Sequence, residues 1–347
     1  SGMTTSVPWI QLQSKPPFQK KSVNGHRRLL EQPSNPWEQS QRLLFWVSVV
    51  ILPLFTLHFV ATKILQNTKH KDKLKGMLVF PALELIILNV LVNPFVKIAA
   101  NLIREGTAKS VFAGLGILCL HPGAFVAFSV WYIYYAIFNQ RIIFFLYHQH
   151  EPSILRRFAT NTQGVWCPEE EKQKMGALFD AVHPPAPQLG WRGILRTYYV
   201  PWNMTKTALL TFLLTVFASA SIGGKFAQVI LIIMLQSTHV WLLLATVPMQ
   251  KMQAFIPDVL VEILDTCMYS ISFVSLSTIQ VYGKKISKSF LAAIDSTLFA
   301  LQSSILAVQI VFQVIGVMLL VATLIRRKVH TYQVAKTPHR VSFYNDD

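Results

Sequence analysis

The sequence predicts an all-α polytopic membrane protein with about seven transmembrane helices, and three observations predict it. The 347 residues are 52% hydrophobic and 14% charged, whereas soluble globular domains carry about 25% charged residues. Seven apolar runs approach the length of about 20 residues that crosses roughly 30 Å of hydrocarbon. The runs are continuous, and lipid tolerates only structures that satisfy their own backbone polar groups, so helices are expected.

In chain order, residues 1–41 are rich in Pro, Ser, Gln and basic side chains without a sustained period, and read as a mobile basic and polar N-terminal tail. No short apolar core with a small-residue cleavage site is visible there, so the first span is expected to act as the insertion signal if Met3 is the true start. Residues 42–138 hold the first three helices, over Leu43–Leu65, Met77–Ala100 and Val111–Phe138. Residues 139–203 form a polar loop of about 65 residues between the third and fourth helices. Within it Pro168 precedes Glu169, Glu170 and Glu171, acids favourable at a helix N-terminus, so a short amphipathic helix is expected to end before Pro184. Residues 204–328 carry the last four helices, over Met204–Ile222, Phe226–Val247, Val259–Tyr282 and Phe290–Ile325, and 329–347 form a C-terminal tail. Gly223, Gly224 and Lys225 leave room only for an antiparallel hairpin between the fourth and fifth helices.

The net charge of +16 is not a nucleic-acid footprint, because Lys and Arg fall between the apolar runs rather than along one face. Anionic lipid headgroups are the expected partners. The candidate headgroup-binding residues are Lys69, Lys71, Lys73 and Lys75 in the first loop and Arg326, Arg327 and Lys328 after the last span. With the N-terminus outside, 19 of the 32 basic residues fall on the cytoplasmic side, which favours N-out and C-in by the positive-inside rule. The plasma membrane and endomembranes both fit. Cys119, Cys167 and Cys267 show no metal-type spacing, and neither a metal nor a cofactor is expected.

Polar residues inside the apolar runs are the functional candidates, because an ionisable group at bilayer depth costs at least about 2.5 kcal/mol unless a partner or water compensates. In the second run Glu84 is the leading one. Asn89 and Asn93, followed by Lys97, recur every four residues and stack along one helix face. Lys97, near the end of its run, is expected to snorkel to headgroups. In the sixth run Glu262 and Asp265 share a face, with Asp258 ahead of them. Either the helix dipole stabilises these acids or they form a cation-attracting mouth. In the last run Asp295, Gln302 and Gln309 recur every seven residues, as interhelical hydrogen bonding or as the lining of a wet pathway. Enzymatic signatures are scarce: YHQHEP (Tyr147–Pro152) offers two histidines without a supporting third ligand, and no glycine-rich phosphate loop, GxSxG or HExxH occurs.

Three stretches carry a resemblance. They are FPALELIILNVLVNPFVKIAANLIREGTAKSVFAGLGILCLHP (Phe80–Pro122), GWRGILRTYYVPWNMTK (Gly190–Lys206) and FAQVILIIMLQSTHVWLLLATVPMQKMQAFIPDVLVEILD (Phe226–Asp265). Over residues 43–282 the chain resembles the transient-receptor-potential-like membrane proteins of fungi and oomycetes. The resemblance implies a polytopic helical protein akin to ion channels or to flavin and lipid-linked carriers, with its N-terminus outside. Two departures stand against a channel of that kind. The residues ahead of the first span are too few for the family's lipid-binding domain, and YGKKISKSF (Tyr282–Phe290), between the last two spans, is too short for a pore helix and filter. The expectation is therefore a channel-like or carrier-like protein moving ions, lipid or a small solute along a pathway lined by buried carboxylates and amides. A receptor-like or scaffolding subunit, alone as a homo-oligomer or with partner subunits, is the alternative; a membrane-embedded enzyme is a third.

Overall fold

The structure is a computed structural model and describes residues 35–66, 79–146, 164–250, 252–282 and 287–336. The N-terminal tail to residue 34, Lys69, Lys71, Lys73 and Lys75, and the tail from residue 337 lie outside the described residues. Helices α1 (Pro36–Trp46) and α2 (Leu52–Gln66) are joined by a π-helical turn, Val47–Ile51, into one rod. Asn35 starts it by accepting the Trp37 N–H at 3.0 Å, with Pro36 in the first turn where its missing N–H costs nothing. Next come α3 (Ala82–Glu105), α4 (Ala108–Leu118) and α5 (Ala124–Ile133), the last two joined by a π-helical turn at Cys119–Gly123.

A short antiparallel hairpin follows, β1 (Ile143–Leu146) with β2 (Gly164–Cys167), then α6 (Glu169–Met175) and α7 (Trp191–Leu195). The chain then runs through α8 (Tyr199–Val216), α9 (Ile222–Thr246), α10 (Met252–Tyr282) and α11 (Lys288–Lys336). Six helical segments are long and apolar enough to cross a membrane: Pro36–Leu65, Ala82–Glu105, Ala108–Phe138, Ile222–Thr246, Ala254–Thr278 and Ala292–Met318. These mark an integral membrane protein of the all-α polytopic class. The count among the described residues is thus six where the sequence predicts about seven. The difference is α8, which occupies the expected fourth span but carries Asn203 and Lys206 within it.

The centre of the bundle is α3, which buries Leu85, Val92, Phe95, Val96, Ala99 and Leu102 and packs against α1, α4 and α8. Its end and the start of α4 are set by local chemistry. Gly106 takes φ +78° as the helix closes, and Thr107 then accepts the Ser110 N–H at 3.2 Å. At Gly114 of α4 any Cβ would lie 2.7 Å from the Ala99 carbonyl oxygen, so only glycine lets these two helices approach this closely. By contrast, large apolar side chains such as Leu57, Phe112, Leu120 and Met234 are exposed on the outside, as helices facing hydrocarbon require.

One end of the bundle is capped by the hairpin, α6 and α7. Trp166 on β2 is 1% exposed, with its ring edge against Phe144 at 5.0 Å and Phe179 at 5.3 Å. The cap is stapled to the turn between α9 and α10. Val182 pairs with Met249, the His183 N–H donates to the Pro248 carbonyl at 2.7 Å, and Gln250 Nε2 donates to the Val182 carbonyl at 2.6 Å.

His183 makes this staple sensitive to acid. Burial, reinforced by the Arg196 guanidinium, lowers its pKa from 6.5 to about 4. The folded protein therefore holds fewer protons on this ring than the unfolded chain, so its contribution is complete above pH 6.5 and is lost as pH falls toward 4. Thermal unfolding from pH 8 down to pH 4 should show the protein losing stability more steeply below pH 6.5 than a His183→Asn variant; parallel profiles would refute this.

Candidate functional site

The polar residues inside the bundle gather at two places. At the first, Glu84 lies in the first turn of α3, 3% exposed, with His58 Nδ1 of α2 at 2.5 Å from its Oε1. Glu84 therefore ties the α1–α2 rod to α3 near the capped end. Asn93 accepts a hydrogen bond from Thr211 of α8 at 3.3 Å, whereas Asn89, one turn earlier, is exposed. Lys97 is half-buried, and one turn further on Asn101 donates to Gln39 at 3.3 Å.

The second place is built by three helices. Lys206 of α8, 3% exposed, forms an ion pair with Glu262 Oε1 of α10. His239 of α9, fully buried, brings its Nε2 to 3.6 Å from that oxygen, and its Nδ1 accepts the Trp202 indole N–H at 2.8 Å. Tyr199, one helical turn before Trp202, donates to Asp258 Oδ2 at 2.6 Å. Gln236 is fully buried on α9 and lies beside the same glutamate, and Asp265, half-buried, follows Glu262 by one turn. Asp258, Glu262 and Asp265 thus descend one side of α10 at steps of four and three residues.

Sequence spacing fixes the depth. Lys206 is seven residues inside the start of α8, His239 seven inside the end of α9 and Glu262 eight inside the Ala254 start of its span. At about 1.5 Å per residue all three sit about 10–12 Å from the same capped end. An ion pair at this depth is stable only with close geometry and further hydrogen bonds, since removing both charges from water costs several kcal/mol per ion. Glu262 has Lys206 on Oε1 and His239 and Gln236 nearby, but its Oε2, His239 Nε2 and both Gln236 amide atoms make no hydrogen bond, so the pair meets that condition only in part.

Next to the cluster is an apolar cavity of about 330 Å³ between α5, α8 and α9. Val126, Leu195, Tyr198, Pro201 and Leu243 form its walls, and His239, Tyr199 and Thr205 are among its few polar edges. Trp191, stacked on Trp241 at 5.5 Å, and Arg192, over the Trp191 ring at 5.4 Å, are exposed on the short helix that leads into Leu195. Tryptophan and arginine in such a place are suited to the headgroup level of a bilayer. Among the described residues no group of three or more His, Cys, Asp or Glu is placed to hold a metal ion.

Of the sequence-predicted residues, Glu262 and Asp265 belong to this cluster. Glu84 and Asn93 make their contacts elsewhere along α3. Asp295 is exposed on α11, Gln302 and Gln309 are half-buried on it, and Arg326, Arg327 and Lys328 fall in its C-terminal part. Sequence reasoning did not single out Lys206, Trp202, Gln236 or His239. The available signal was Lys206 itself, a lysine two residues inside the apolar run that begins at Met204.

No family model matches the chain, and neither a curated protein nor a solved structure matches it.

Proposed function

We propose that the chain is a carrier-like integral membrane protein that moves an amphipathic, lipid-like solute, with the Lys206–Glu262 pair as its polar pivot. One observation carries the reading: a buried lysine–glutamate–histidine cluster spread over three helices touches an apolar cavity of about 330 Å³ through His239. A pocket of that size with apolar walls and few polar groups accepts a hydrocarbon tail and orients a polar end. Because Lys206, His239 and Glu262 stand on separate helices, a small helix shift would exchange one set of contacts for another, as two-state carriers require.

In this reading α8 is the seventh crossing. At 18 residues it spans about 27 Å, and Lys206, one of the polar residues that keep it out of the apolar class, faces the cluster. The capped end is cytoplasmic, with the N-terminus outside, because most basic residues fall on that side. The resemblance of residues 43–282 to the transient-receptor-potential-like proteins of fungi and oomycetes, which implies a protein akin to ion channels or to flavin and lipid-linked carriers, accords with this proposal.

A cation pathway is the second reading, favoured by the row Asp258, Glu262 and Asp265 on one side of α10. Lys206 occupies the middle acid, so a passing cation would have to displace it first.

Reconstitution separates the two. In vesicles of phosphatidylcholine and phosphatidylserine, the protein should transfer a fluorescent phospholipid between leaflets. Glu262→Gln should lower that rate at least about tenfold while the helical content persists. Cation flux without lipid transfer would favour the second reading, and an unchanged transfer rate in Glu262→Gln would reject the first.

A further inference from the structure

The last helix presents two seams, and the fold packs one of them against α10. Leu298, Leu301, Ile305 and Val308 of α11 pack against Val261, Leu264 and Met268 of α10. A second row, Asp295, Phe299, Gln302, Leu306, Gln309 and Gln313, advances by alternating steps of four and three residues, the spacing of a coiled-coil seam. Along that row Phe299 is 71% and Leu306 57% exposed, and Asp295 and Gln313 are exposed as well. Gly316, the next step, leaves room for a close helix approach.

An exposed glutamine within the Ala292–Met318 span is unlike the surrounding leucines, because hydrocarbon offers its amide nothing to bond. We infer that this row is the two-fold contact between two copies of the chain. The identity of the partner follows from symmetry and chemistry. Copies inserted in one membrane share one orientation, so two of them meet through parallel helices about an axis along the membrane normal, and each residue faces its own counterpart. A glutamine amide both donates and accepts, so Gln302 and Gln313 satisfy themselves across such an axis. A seven-residue repeat supplies the supercoil that keeps the row in contact along its length. Asp295, three residues inside the start of the span, sits at headgroup level, where water separates it from its twin.

Disulfide trapping in native membranes tests the contact. In a chain with Cys119, Cys167 and Cys267 replaced by alanine, Leu306→Cys should give a covalent dimer on mild oxidation. Val311→Cys, 52% exposed on a different side of α11, should stay monomeric. No dimer from Leu306→Cys, or equal yields from the two, overturns the inference. Gln302→Leu with Gln313→Leu should weaken self-association by about tenfold in lipid nanodiscs or bilayers, because the interhelical amide bonds are lost. Unchanged association in that variant also overturns it.

Discussion

Replacing Lys206 by methionine should destabilise the folded protein by about 3–5 kcal/mol, the cost of leaving one partner of a buried ion pair uncompensated. The lysine is 3% and Glu262 5% exposed, so water cannot take over the lost contact. His239 is the nearest remaining cation candidate, but its Nδ1 already accepts the Trp202 indole and its ring is fully buried. Removing the acid as well should restore most of the loss, because Lys206→Met with Glu262→Leu exchanges an ion pair for an apolar contact of similar volume. A double-mutant cycle on thermal unfolding in detergent measures the coupling. Additive single effects would show that the two side chains do not depend on each other.

Trp166→Ala should cost about 3–5 kcal/mol within the cap, the range for deleting a fully buried aromatic ring. The indole is packed edge-on by Phe144 and Phe179, and its removal leaves a void between the hairpin and the segment that carries Val182 to Met249. The expected result is rapid proteolysis between residues 164 and 183 and a lower unfolding temperature. A cap that resists protease as the parent does would show that the ring is not its core.

These two residues illustrate what the sequence could and could not convey. The six apolar crossings were legible because burial in hydrocarbon imposes length and composition on each helix separately, with no need to know its neighbours. The seventh is a different case: Lys206 of α8 pairs with Glu262 on another helix, and composition records that only as a weaker apolar run. Glu262 was visible as an acid in oil. Its partner lies 56 residues away on another helix, and no local spacing carries that relation. Asn89 and Asn93 show the same limit from the other side. Both belong to one stripe, yet the packing of α3 on α8 gives Asn93 a partner in Thr211 and leaves Asn89 exposed. Trp166 gave no sequence signal, since a tryptophan in a polar loop is equally consistent with a membrane-surface anchor.

Photolabelling with a phospholipid that carries a diazirine in its acyl chain tests the central claim most directly, that the cavity beside the Lys206–Glu262 pair holds a lipid tail. Mass spectrometry of the labelled protein should place adducts at Tyr198–Thr205 and Leu242–Thr246, and Leu243→Trp, which fills the space, should remove them. Adducts confined to outward-facing residues such as Leu57 and Leu120, unaffected by Leu243→Trp, would contradict the account.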